Sequence, residues 1–341
     1  MQSSKVTKWI GWSSYLLMAA FLSVLVLGSF FTVGINGNPP TMFRDMVDGT
    51  AHKPFVYRAL VPAVIRTVEN AAPAAIEEKL ISLSETGSVA ELFERYGWAH
   101  EDMLAYLIAA AFLYGSLLLF VHAFGVLAKS QYEMNPVFRR VLSLVALAGL
   151  PCFFRYYSYL YDFTHLILFC YALALMSRQR WAGYFPVFAL ACLSKETTVL
   201  LIALFCIHFW KDRRRSWFWS AAALQALIFV FVKVWLRVLF KENLGGSLEF
   251  HLGHNLTLQP YDFSQIGIFA GLILLCARHW AEKPVFLKHA VWMLLPLVGL
   301  TFLFGLLDEY RDYYEVYPVV LLLAVPAIAE FLRLRISVQQ A

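Results

Sequence analysis

Residues 36–58 read NGNPPTMFRDMVDGTAHKPFVYR and follow the first long apolar run of the chain. Two acids, Asp45 and Asp48, stand there beside Arg44, His52, Lys53, Tyr57 and Arg58. Asn36, Gly37, Pro39, Pro40 and Gly49 make the segment irregular rather than a continuing helix. A polar, titratable loop at the mouth of a membrane span is a place for chemistry. The plainer reading is a solvated connector whose charges serve solubility.

Other ionisable groups stand in apolar surroundings. Ser194 in LSKET (193–197) is placed to cap a helix starting at Lys195. Such a helix end, with the Lys195 charge, binds phosphate readily. An internal Lys195–Glu196 ion pair holding the turn is the alternative. The turn RYYSYLYD (155–162) supplies Arg155, four tyrosines and Asp162, with His165 one turn deeper. The four tyrosines read as an interfacial aromatic belt or as a sugar platform. Lys233 and Arg237 lie near the end of another apolar run, and DEYRDYYE (308–315) adds Asp308, Glu309, Arg311 and Asp312. Ionisable groups at membrane depth face a cavity or a partner, and Lys195, Glu196, Lys233 and His165 meet that description. His251 and His254 read as loop histidines, and Asn255-Leu256-Thr257 as a chance sequon.

The elements that must position these groups are membrane helices. Of 341 residues 60% are hydrophobic and only 15% charged, where a soluble domain is nearer half apolar and a quarter charged. Several runs reach the length of about 20 residues needed to cross a bilayer. The chain reads as an all-α polytopic membrane protein, one membrane domain over 1–341. The run from about Ile10 to Val33 is longer than a signal-peptide core and is read as a retained helix. The five cysteines, Cys152, Cys170, Cys192, Cys206 and Cys276, lie in apolar runs without metal or disulfide spacing and read as buried hydrophobes. The net charge of +5 is sorted by side and does not indicate nucleic-acid binding.

Further spans are expected at about 103–128, 140–154, 162–177, 217–239, 263–277, 289–307 and up to Leu332. The first outer loop, 36–101, carries two amphipathic segments, 56–70 and 74–96, too polar to span and expected to lie on the membrane surface. Basic residues flank 182–210 on both sides, so it goes in and comes back as a re-entrant pair of half helices. Each arm is short of a bilayer, and irregular backbone at that depth needs protein or a water-filled cavity around it. The total is about ten transmembrane or half helices with both termini cytoplasmic. The inner segments then hold 16 Lys and Arg against 4 acids, and the remainder 12 against 19, as the positive-inside rule requires.

An acid in the first outer loop, surface helices in that loop, a many-helix bundle and outward basic groups together resemble the GT-C superfamily of membrane glycosyltransferases. The strings HKPFVYRALVP (52–62), LSKETTVLL (193–201) and DEYRDYYEVYP (308–318) look like segments of bacterial multi-pass proteins of that type. The resemblance implies a GT-C-like bundle in a bacterial inner membrane. It implies transfer of a sugar from a polyprenyl-phosphate donor to a glycan, lipid or protein acceptor at the outer face. By position it puts the general base on Asp45 or Asp48. Inverting transfer needs a carboxylate to take the acceptor's proton and cations to stabilise the departing phosphate. Arg58, Arg155, Lys195 and Arg311 are the available set, with His52, Tyr57, His165, Glu196 and Glu309 in support. The first loop lacks the superfamily's adjacent Asp-x-Asp pair, so no cofactor is indicated and a divalent metal is left open. A transporter or lipid flippase with a broken-helix site is the competing class, and an inactive accessory subunit a third.

Overall fold

The computed structural model describes residues 2–246, 250–257 and 263–339. It is all-α, 77% helical. In chain order the helices are α1 (Gln2–Val33), α2 (Phe43–Asp48), α3 (Leu60–Asn70), α4 (Ala74–Ser84), α5 (Gly87–Tyr96), α6 (Met103–Gln131), α7 (Pro136–Ala148), α8 (Asp162–Ser177), α9 (Trp181–Ser194), α10 (Val199–His208), α11 (Ser216–Leu239), α12 (Leu252–Leu256), α13 (Phe263–Ala277), α14 (Val285–Ala290), α15 (Leu294–Phe304) and α16 (Tyr317–Phe331). Two short strands, β1 (Tyr132–Met134) and β2 (Ile336–Val338), pair antiparallel with Tyr132 opposite Val338.

Among the described residues five segments are long and apolar enough to cross a membrane: 11–33, 100–131, 136–153, 216–239 and 285–304. Five others are apolar but only 10–17 residues long. Length follows exposure. The hydrophobic windows of α1 and α11 are only 28% and 17% buried, so those helices must match the bilayer themselves. The short α8 packs against α6 and α9, and most of its residues are buried and none is exposed. An enclosed helix can stop early, because protein rather than lipid covers its ends.

The first loop is built from short pieces. Gly49 ends α2 in the left-handed conformation (φ 78°), which L side chains rarely adopt. Asn243 ties this turn to the end of α11, donating to the carbonyls of Gly49 (2.8 Å) and Ala51 (2.9 Å). The expected helix at 74–96 is two, α4 and α5, parted at Glu85–Thr86. The span expected from 289 starts four residues earlier with α14 and bends through a 3-10 turn, Val291–Met293, into α15. Asn255 of the sequon is buried and stitches the end of α15, donating to Phe302 and Gly305 carbonyls and accepting from the Leu307 amide. Of the outer loop at 240–262, residues 247–249 and 258–262 lie outside the described residues.

Two expectations are corrected. Cys152 is exposed, because it sits on the 3-10 turn Leu150–Phe153 where α7 has ended; Cys206 and Cys276 are half-buried, and only Cys170 and Cys192 are fully enclosed. Ser194 does not cap a following helix. It is the last residue of α9, Lys195 is extended (φ −157°, ψ 152°), and a 3-10 turn runs from Glu196 to Thr198 before α10. Thr198 stabilises that break, its hydroxyl donating to the carbonyls of Ala191 (2.8 Å) and Lys195 (2.9 Å).

Candidate functional site

The chain breaks its helices where the charges are. The C-terminal end of α9, the N-terminal ends of α8 and α16, the loop before α3 and the turn after α15 meet at one end of the bundle. Lys195, extended between α9 and α10, points its ammonium at Glu315, 3.2 Å away. His165 on α8 reaches the same carboxylate oxygen with Nε2 at 3.2 Å, and the Thr197 hydroxyl donates to it as well. Glu315 is fully buried. Arg58 lies over the Tyr161 ring, bonds its hydroxyl, and pairs with Glu196 at 3.1 Å. Lys233 from α11 is 3.9 Å from the other Glu196 oxygen and donates to the Cys192 carbonyl at the end of α9. Arg311 stacks on Tyr159 (3.6 Å), pairs with Glu309 (2.5 Å) and stands 3.7 Å from Asp162. Arg311 is the cation in ion-pair range of Asp162, and the charges of Lys195 and Arg58 also act on that carboxylate.

Arg155 stands apart. It is 41% exposed and pairs with Asp308 at 3.5 Å, an acid that also accepts from the Tyr156 hydroxyl. Tyr159 and Tyr161 are buried under the arginines and stack on each other, while Tyr156 and Tyr157 are only half-buried. Phe55 stacks on Tyr159 and so carries the first loop onto the cluster.

Every cation expected at a phosphate already has an acid: Arg58 has Glu196, Lys195 has Glu315, Arg311 has Glu309 and Asp162, Arg155 has Asp308. A Lys195–Glu196 pair is not formed; each of the two is matched from another element. The atoms left without a hydrogen-bond partner are mostly acceptors and hydroxyls: Asp162 Oδ1, His165 Nδ1, Ser194 Oγ, Glu196 Oε1, Asp308 Oδ1, Tyr310 Oη, Tyr314 Oη and Glu315 Oε2. Buried polar atoms of this kind take water or a ligand group. Desolvation pushes the Asp312 carboxyl up to about 6.

The first-loop acids differ from each other. Asp48 is held bidentately by Arg44 (2.7 and 3.0 Å), which also reaches Glu69 (2.7 Å) and Asp102 (3.3 Å). Asp45 carries no ion pair among the described residues; its carboxylate accepts only from Thr50, at 3.1 Å. The half-buried His52 and the buried Tyr57 belong to the loop's packing, and neither side chain joins the ion-pair cluster. Among the described residues no group of three or more His, Cys, Asp or Glu could hold a metal ion.

A cavity of about 530 Å³ lies at the opposite end of the bundle, between α16 and β2, lined in part by Tyr132, His279, Glu282, Glu330 and Arg335. None of the expected site residues touches it. Glu315 and Thr197, which tie the cluster together, were not among the expected site residues. A carboxylate just before an apolar helix that needs a partner is the signal that marks Glu315. Comparison with protein-family models, with curated proteins and with solved structures returns no match.

Proposed function

We propose that this chain is a membrane glycosyltransferase of the GT-C type. It moves a sugar from a polyprenyl-phosphate donor to an acceptor at the outer face of a bacterial inner membrane. In this reading the chain has ten transmembrane or half helices and both termini in the cytoplasm, with the ion-pair cluster at the outer face. The observation that supports this reading is the gathering of the Arg58, Lys195 and Arg311 ion pairs at one end of the bundle, with Arg58 on the loop that carries Asp45. In a site of low dielectric, fixed charges act far more strongly than in water.

Asp45 is the better base, because its carboxylate is free of cations while Asp48 is committed to Arg44. Arg155, half exposed at the rim, is the first group a donor phosphate meets; the paired cations behind it stabilise charge as it leaves. Asp45→Asn keeps the shape and removes the proton acceptor, so transfer falls by about 10²–10⁴ while donor binding survives. The test is transfer from a polyprenyl-phosphate sugar by the purified chain, compared with the Asn variants of both acids. Near-normal transfer by both would make the loop a connector and remove the main support.

The transporter or flippase reading draws on one observation, the broken helix at 195–198 with its charges internally neutralised, a device suited to a mid-membrane site. Uptake or lipid flipping by the reconstituted chain, without transfer, would select it.

A further inference from the structure

We infer that Glu315 is the positioning residue of this site: it holds the Lys195 ammonium charged and aimed, and through Thr197 it fixes the break between α9 and α10. This rests on the proposed transfer reaction for its role, but not for its geometry. Three groups from two elements meet at one oxygen, Oε1: the Thr197 hydroxyl donates to it, and Lys195 Nζ and His165 Nε2 each stand 3.2 Å away. A carboxylate with no exposure stays ionised only against such a set. Its second oxygen and His165 Nδ1 have no partner, so the network is directed at Lys195 rather than spread over the surroundings. His165 Nε2 also stands 3.2 Å from the Thr197 hydroxyl oxygen, which ties the imidazole to the same network.

The groups facing Lys195 are few. From α8 they are Asp162 and His165, from the turn before α16 Asp312 and Glu315, from the first loop Arg58, and from its own turn Glu196. Glu315 is the one in contact. Glu196 is already taken by Arg58 and Lys233, and Asp162 by Arg311. Without the Glu315 charge, burial and the nearby Arg58 favour the free amine, opposed by Asp312 and Asp162, which make no ion pair with Lys195. Lys195 then loses its proton more easily, and with it the charge that would meet a phosphate.

Glu315→Gln, nearly the same shape without the charge, tests this in the full chain in lipid nanodiscs. Two readouts are taken from pH 5.5 to 9. One is transfer from a polyprenyl-phosphate sugar. The other is pulse acetylation of Lys195 with acetic anhydride, read by mass spectrometry. Wild type should show no loss of transfer on the alkaline side. Glu315→Gln should transfer best at low pH and fall about 100-fold on the alkaline side. Its Lys195 should become reactive at lower pH than in wild type. Glu315→Asp, which keeps the charge, should keep the wild-type profile at reduced rate. An unchanged pH profile together with an unchanged acetylation curve overturns the inference. If wild type transfers nothing from any donor, the proposed function fails, while the acetylation curve still decides the role of Glu315. Should Glu315→Gln alone not fold, the double variant Lys195→Met/Glu315→Gln decides. Removing the pair together should restore thermal stability that the single change loses; no restoration overturns the pairing.

Discussion

Arg44 divides the two acids of the first loop. Its guanidinium closes a fork on Asp48 and spends its remaining nitrogen on Glu69 and Asp102. Asp48→Asn therefore acts on structure. The pair is 40% exposed on both sides, so thermal denaturation should show a loss of at most about 1 kcal/mol, with transfer retained. A large loss of transfer would instead make Asp48 the base. Asp312 gives a pH prediction. Its carboxyl is densely surrounded, and desolvation raises its titration to about 6 from an ordinary value near 4. A raised carboxyl favours the protonated form in the folded state, so its contribution is fully present below pH ~4 and is lost as pH rises through about 6. Denaturation midpoints measured between pH 4 and 7 should therefore fall more steeply in wild type than in Asp312→Asn. Equal slopes would remove Asp312 as the cause. Lys195, Arg58 and Arg311 were legible in the sequence because charges beside apolar runs are conspicuous. Their pairings were not, since Thr197 and Glu315 lie 118 residues apart and no local spacing relates them.

Elements tell a similar story. The break within 182–210 was legible from basic flanks on both sides, which a single span cannot satisfy. The sequence did not show how the break is built, because that depends on Thr198 bonding back to Ala191 across the gap. At the other end, Pro326 stands inside α16 and removes the amide that would bond the Leu322 carbonyl. Tyr132, buried on β1, supplies the missing donor with its hydroxyl at 3.1 Å. The strand that pairs with β1, only three residues long, is too brief to read from the sequence. Tyr132→Phe should leave that carbonyl orphaned and lower stability by about 1–3 kcal/mol. Pro326→Ala restores the intrahelical amide, so the Tyr132→Phe change should be much milder on that background. Equal effects on both backgrounds in thermal denaturation would show that Tyr132 acts only through packing.

At the scale of the whole molecule, the two ends differ in kind. One gathers Arg58, Lys195, Glu315 and Arg311 in a buried, internally matched cluster. The other carries exposed bases and smaller groups, including Arg278 paired with Glu330 (2.8 Å) and the KDRRR segment at 211–215. Bases left at one end of a membrane bundle mark the cytoplasmic side, because Lys and Arg resist translocation. The exposure pattern agrees with a bilayer around the outside, since α11 and α1 present apolar side chains such as Phe231, Trp235, Leu17 and Phe21 outward. This orientation predicts labelling by side. On a background freed of its native cysteines, a cysteine at position 212 or 284 should react with a membrane-impermeant maleimide only after the cells are opened. A cysteine at 78 or 91, on the exposed acidic faces of α4 and α5, should react in intact cells. The reverse pattern would put the ion-pair cluster on the cytoplasmic side, where a donor presented at the outer face could not reach it. Labelling of 212 and 284 from opposite sides would instead break the alternation of helices between them, and with it the count of ten.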